Sequence, residues 1–263
     1  MEMTPTLLAL DFDGVICDGL IEYFQTAWKT YCLIGSPMSE TPPLGLAEQF
    51  YRLRPVIETG WEMPVLVQSL LDGIPEAELF SNWAAIALKE VEKLNLSPAE
   101  IAARLDGVRD EWIATDVNDW LAQHRFYPGV AERLQQIVDG SVTPFIITTK
   151  EQRFVRQLLK QQQVDIAESQ IFGKEVKQPK AQTLRSLINR YTQELGAPPT
   201  VWFIEDRLKT LQAIETQPDL QGVKLFLAGW GYNTETDRAI AQQDPQIHLL
   251  SLSQFAEALP SWV

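Results

Sequence analysis

Apolar residues in this chain fall into short runs, separated by stretches in which they recur every three or four positions. The first run is Leu7 to Leu10. Pro144 to Ile147, Val201 to Ile204 and Val223 to Leu227 follow, and a weaker one spans Ile247 to Leu250. Such runs predict strands buried on both faces, and their alternation with helical patterns such as Ala131 to Val138 predicts a parallel sheet covered by helices. Between Asp18 and Tyr127 the pattern changes: helical periodicity continues, as in Val65 to Leu71 and Trp83 to Val91, with no comparable strand. The expected organisation is an α/β core of residues 1–17 and 127–263, interrupted by an all-helical domain of residues 18–126. Tyr127-Pro128-Gly129-Val130 is the turn signal at which the core resumes. Ser97-Pro98-Ala99-Glu100 predicts a helix start with a capping box, and Pro42-Pro43 and Pro198-Pro199 predict loops.

Composition narrows the functional classes. At 263 residues and 45% apolar, the chain can bury a substantial core and needs neither disulfides nor a structural metal to fold. A formal net charge of -13 argues against nucleic acid or an anionic membrane as partner. The two cysteines, Cys17 and Cys32, lack metal-ligand spacing, and no secretory signal pattern opens the sequence. No apolar run approaches the roughly 20 residues of a membrane span. A cytoplasmic protein acting on a small metabolite is the expectation.

The candidate chemistry sits where predicted strands end. Leu7 to Leu10 runs into Asp11-Phe12-Asp13-Gly14. Ligands of open α/β sheets bind beyond the carboxyl ends of the strands, and alternation along the chain sends Asp11 and Asp13 to the same side. One carboxylate can attack phosphorus while the other handles the protons of the leaving alcohol and of water. An EF-hand is excluded, since its liganding fifth and glycine sixth positions would be Val15 and Ile16. Val201 to Ile204 runs into Glu205-Asp206, and Asp11 with Asp206 could supply the one or two carboxylates that Mg²⁺ usually takes. Phe145 to Ile147 ends on Thr148-Thr149-Lys150, whose hydroxyls and backbone N–H groups could bind phosphate oxygens. A fixed cation is also needed for transition-state charge, and Lys177 and Lys180 compete for that role. Lys180 is preferred because Pro179 reads as the first position of a helix, which would hold Lys180 at the end facing the crevice.

Together these segments resemble the haloacid dehalogenase superfamily, specifically its phosphatases with a helical C1-type cap inserted after the first motif. Asp11-Phe12-Asp13-Gly14 matches the first motif, Thr148 the second, Lys180 or less closely Lys177 the third, and Glu205-Asp206 the fourth, across the whole proposed core. The resemblance implies a Rossmann-like core, with Asp11 as nucleophile and Asp13 as acid/base. It places Thr148, Thr149 and Lys180 on the phosphate. Mg²⁺ would be held by Asp11, the Asp13 backbone carbonyl and Asp206, with Glu205 supporting it directly or through water. Asp18, the Tyr127 to Val130 turn, Thr148-Thr149-Lys150 and Gly229-Trp230-Gly231-Tyr232 are similar to the phosphoglycolate phosphatase branch. Val15 and Thr149 depart from that branch's usual Thr and Asn, and the cap is longer than its common form. The acid at Asp13 disfavours carbon–halogen cleavage. A phosphosugar mutase and a non-catalytic protein that kept the fold are the alternatives. In the helical insertion, Arg52 and Arg54 are candidates for binding an anionic substrate, whereas Trp28, Trp83, Trp112 and Trp120 are expected to pack helices.

Overall fold

The computed structural model describes residues 4–35, 39 and 41–262. It divides into two compact units, Met1–Asp18 with Arg125–Val263, and Gly19–His124.

The first unit is built on a six-stranded parallel sheet. Its strands are β1 (Leu7–Leu10), β4 (Thr143–Ile147), β5 (Ile171–Phe172), β6 (Val201–Glu205), β7 (Val223–Ala228) and β8 (Ile247–Leu250), in spatial order β5-β4-β1-β6-β7-β8. β2 (Cys17–Asp18) and β3 (Arg125–Phe126) form a separate antiparallel pair. β1, β4 and β6 are almost wholly buried, as expected of parallel strands covered on both faces. Leu7, Ala9, Phe203 and Leu225 point to one face, where Leu184, Leu187 and Leu211 cover them. On the other face Trp202 packs on Phe226 and Trp262, at centroid distances of 5.1 and 5.9 Å. Burying large aromatic surface on both sides fixes the register of β1 between β4 and β6.

That order also fixes the site. From β1 the chain runs outward through β4 to β5, then returns to β6 on the opposite side of β1. This reversal opens a crevice at the carboxyl end of the central strands, the place where such sheets bind ligands.

The five strands predicted from apolar runs are present. β5 was not predicted: two residues give no periodicity, and only its pairing with Ile146 and Ile147 defines it. Pro179 is a correction. It is the N-cap, not the first helical residue, and Lys180 itself begins the helix Lys180–Leu195. With ψ at 147°, Pro179 is extended and cannot start the helix.

The second unit is helical, from Leu20–Ile34 to Val117–Leu121. The predicted capping box is present: Ser97 Oγ accepts from the Glu100 N–H, and Glu100 accepts from the Ser97 N–H at 2.8 Å. Helix Glu76–Leu94 is interrupted at Asn82, whose φ of -133° is not helical. Trp28, Trp83, Trp112 and Trp120 are all buried.

Candidate active site

Asp11 leaves β1 with its backbone N–H still donating to the Ile204 carbonyl at 2.9 Å, so the ladder to β6 holds the residue past the strand end. The chain then turns sharply, with the Ile16 and Cys17 N–H groups both bonded to the Phe12 carbonyl. Gly14 has φ +84°, and a Cβ there would overlap the Asp206 carboxylate. Gly231 likewise has no room for a side chain, because Asp206 and the Gly14 carbonyl lie against it. Two glycines thus let the loops after β1 and β7 close on Asp206 at the end of β6.

The carboxylates of Asp11, Glu205 and Asp206 are all buried, and each offers an oxygen within 4.8 Å of the others'. Lys180 joins two of them. Its Nζ lies 2.8 Å from Asp11 Oδ2 and 2.6 Å from Glu205 Oε2. The other oxygen of Asp11 accepts from the Phe12 N–H at 2.7 Å, and that of Glu205 from the Arg207 N–H at 3.1 Å. Asp206 Oδ2 accepts from the Tyr232 N–H at 2.9 Å, while Asn233 donates to the Asp206 carbonyl and the Ala228 carbonyl. The Tyr232 hydroxyl donates to Asp18 at 2.8 Å.

Electrostatics follow from three acids facing one ammonium out of water. Burial, then the neighbouring Glu205, pushes the Asp11 carboxyl up to about 7, against the opposing pull of Lys180 and the Phe12 N–H. Burial likewise pushes Glu205 up to about 7, with Lys180 pulling down and Asp206 pushing up. Asp206 is raised by burial and then by Asp11. For Lys180 burial works against the charge, but Asp11 and Glu205 outweigh it and hold the ammonium protonated. An uncompensated buried carboxylate is costly, and a divalent cation on hard oxygens is the compensation this donor set fits. Asp11, Asp206 and Glu205 are the side chains of this cluster that could offer oxygens to it. Glu205, whose oxygens accept from Lys180 and the Arg207 N–H, also holds Lys180 in the cluster.

The remaining predicted residues divide clearly. Thr148 is buried at the end of β4, its Oγ1 accepting from the Lys150 N–H at 3.1 Å, whereas Thr149 is exposed beside it. Lys177 is exposed with a left-handed φ of 52°, and the lysine beside Asp11 is Lys180. Asp13 lies next to a cation that sequence reading left without a role, Lys150, at 3.2 Å. The helical unit engages both candidate arginines internally. Arg52 forms a two-pronged ion pair with Glu76, at 2.6 and 3.1 Å, and Arg54 donates to the Ile57 carbonyl while lying over the Tyr23 ring.

No family model matches the sequence, and no curated protein matches it. Solved structures do. A predicted phosphatase from Clostridium acetobutylicum superposes with a TM-score of 0.59 at 12% identity, over 97% of each chain. A predicted phosphoglycolate phosphatase from Haemophilus somnus gives 0.56 at 16% identity, over 93% of this chain and 94% of that one. A haloacid dehalogenase-like hydrolase from Streptococcus pneumoniae gives 0.54 at 17% identity, over 94% of each. The described residues contain no helix long and apolar enough to cross a membrane. With its six-stranded parallel sheet, its helical insertion and this coverage, the chain has the Rossmann-like α/β fold of the haloacid dehalogenase-like hydrolases, among them phosphatases.

Proposed function

We propose that the chain is a Mg²⁺-dependent phosphomonoesterase working through an aspartyl-phosphate on Asp11. The observation that carries this reading is the buried cluster of Asp11, Glu205 and Asp206 with Lys180 bridging two of them. Asp11 attacks phosphorus while Asp13 gives a proton to the departing alcohol. Asp13 then takes a proton from water, which attacks the acyl-phosphate, releases orthophosphate and restores Asp11. Lys180 supplies a fixed charge to the phosphoryl oxygens, and the Thr148 hydroxyl, which only accepts in the contact above, keeps its O–H to donate. Thr149 is assigned to the same oxygens through its place at the strand end. When bound, Mg²⁺ would add Lewis-acid stabilisation of the developing charge, with Glu205 supporting the site.

For substrate we infer a small phosphorylated carboxylic acid, 2-phosphoglycolate foremost, free in the cytoplasm. Residues 18–126 are taken as the cap that selects it. A carboxylate suits a guanidinium, so Arg52 or Arg54 would read it. To do so Arg52 would exchange Glu76 for substrate, and Arg54 the Ile57 carbonyl. Phosphate release with Mg²⁺ should be measured for 2-phosphoglycolate, glycerol phosphate, glucose phosphates and pyridoxal phosphate. The expected result is a steep preference, on the order of 10⁴ in kcat/KM, for 2-phosphoglycolate or a close acidic analogue. Preference for a sugar phosphate would reject the substrate, and return of the phosphoryl group to a sugar would make the chain a mutase. No release from any ester would reject catalysis.

A further inference from the structure

The loop after β4 carries a cation outside the cluster of Asp11, Glu205 and Asp206. Lys150 Nζ lies 3.2 Å from Asp13 Oδ1, with side-chain exposures of 9% and 18%. The approach angle leaves Oδ1, which is itself shielded from solvent, without an aligned hydrogen-bond donor among the described residues. The Asp13 side chain's exposure therefore falls on its other atoms. Lys150 is also well anchored. Its N–H donates to Thr148 Oγ1 at 3.1 Å, and its carbonyl accepts from the Lys174 N–H at 2.9 Å. Gly173 allows that second contact, since a Cβ there would lie 2.8 Å from the Lys150 carbonyl and 2.6 Å from the Gln152 nitrogen. These contacts fix the Lys150 backbone, and the burial of its side chain, 9% exposed, restricts where the ammonium lies.

We propose that Lys150 is a positioning residue for the proton-transferring carboxyl: by holding Asp13 Oδ1, it orients Asp13 so that Oδ2 exchanges protons with the leaving oxygen and then with water. This rests on the phosphomonoesterase reading above. With Lys150 against Oδ1, itself shielded from solvent, Oδ2 is the oxygen left to face the reacting groups. In the first step the Asp11 oxygen–phosphorus bond forms, the phosphorus–alkoxide bond breaks, and the Oδ2 proton passes to the alkoxide. In the second, Oδ2 takes a proton from water as the water oxygen bonds to phosphorus and the Asp11–phosphorus bond breaks. Lys150 gains and loses no proton in either.

The test exploits leaving groups. An alkoxide needs the proton from Asp13, whereas p-nitrophenolate departs as a stable anion, and kcat/KM reports the steps up to its departure. Wild type, Lys150→Met and Lys150→Arg should be assayed with Mg²⁺ on glycerol phosphate and p-nitrophenyl phosphate. Lys150→Met is expected to lose at least about 10-fold more kcat/KM on the alkyl ester than on the aryl ester, with Lys150→Arg recovering most of that difference. Equal losses on both esters, as from damaged folding or phosphate binding, would overturn the proposal, and so would no loss on either. Should Lys150→Met fail to fold by circular dichroism, Lys150→Gln is read by the same ratio. A wild type that hydrolyses neither these esters nor 2-phosphoglycolate would overturn the phosphatase reading and this inference with it. Hydrolysis by the wild type with equal variant losses overturns this inference alone.

Discussion

Both units of the protein bury carboxylates, and they treat them oppositely. In the helical unit Glu22 is 1% exposed and surrounded by donors: Arg109 through Nε at 2.7 Å and Nη2 at 3.3 Å, Thr26 Oγ1 at 2.8 Å and Trp120 Nε1 at 3.2 Å. The Arg109 guanidinium answers the Glu22 charge, with Asp106 at 3.8 Å on its other side, and the neutral donors complete the shell. In the α/β unit, Asp11, Glu205 and Asp206 share a single ammonium within the cluster, Lys180. The first arrangement is satisfied and has nothing left to offer a ligand. The second keeps an excess of buried negative charge that a bound cation or added protons would relieve. Charge balance therefore separates a structural cluster from a functional one where burial alone would not.

Removing Asp11 should break the comparison hardest. Asp11→Asn is expected to lower turnover by a factor on the order of 10⁴ or more, because an amide cannot form the acyl-phosphate. The same change removes one of the crowded charges, so the thermal midpoint measured in chelator should rise rather than fall. An inactive variant with a lower midpoint would contradict the electrostatic half of the account.

Lys180→Met should lower kcat by about 10²- to 10³-fold, as expected when a fixed donor to developing charge is lost. Unlike Asp11→Asn it should also destabilise the metal-free protein, by up to about 3–5 kcal/mol, since Asp11 and Glu205 lose their partner. Chemical denaturation in chelator measures this.

In the helical unit the outcome reverses. Glu22→Gln leaves buried Arg109 with only the longer contact to Asp106, at 3.8 Å, as counter-charge and should cost up to about 3 kcal/mol of stability, while kcat per folded molecule stays within about twofold of wild type. Denaturation and active-fraction kinetics separate the two.

The smallest effect is on pH dependence. Asp11 rises from 3.8 and Glu205 from 4.5, each to about 7, so between those limits the folded protein binds more protons than the unfolded chain. Stability of the metal-free protein should therefore fall, on account of these two groups, as pH rises from about 4 to about 7, and then level off. Mg²⁺ competes with those protons, so the rise in Tm on adding it should be a few degrees larger near pH 8 than near pH 5. An equal rise at both would contradict the raised carboxyls.

Much of this was legible in the sequence because one physical rule governs it. Apolar runs make buried strands, and polar residues directly after them, Asp11, Thr148, Glu205 and Asp206, fall at the crevice. What could not be read depends on how distant segments meet. Lys150 follows a strand like any surface lysine, and only the fold brings it to Asp13. Arg52 reads as a ligand-binding cation until Glu76, on another helix, is seen to hold it. The choice between Lys177 and Lys180 turned on whether the chain at each position was loop or helix start, which Pro179 signalled in the right place but one residue out of role. Tyr232, whose N–H fixes Asp206, contributes a backbone group, and backbone donors leave no mark in side-chain patterns.

The central claim is that Asp11 becomes phosphorylated during turnover. Wild-type protein mixed with Mg²⁺ and its best substrate, quenched in acid early in turnover and examined by intact and peptide mass spectrometry, should carry one phosphoryl group, on the peptide containing Asp11 and absent from Asp11→Asn. Rapid hydrolysis with no such adduct, or an adduct on any other residue, would contradict the account.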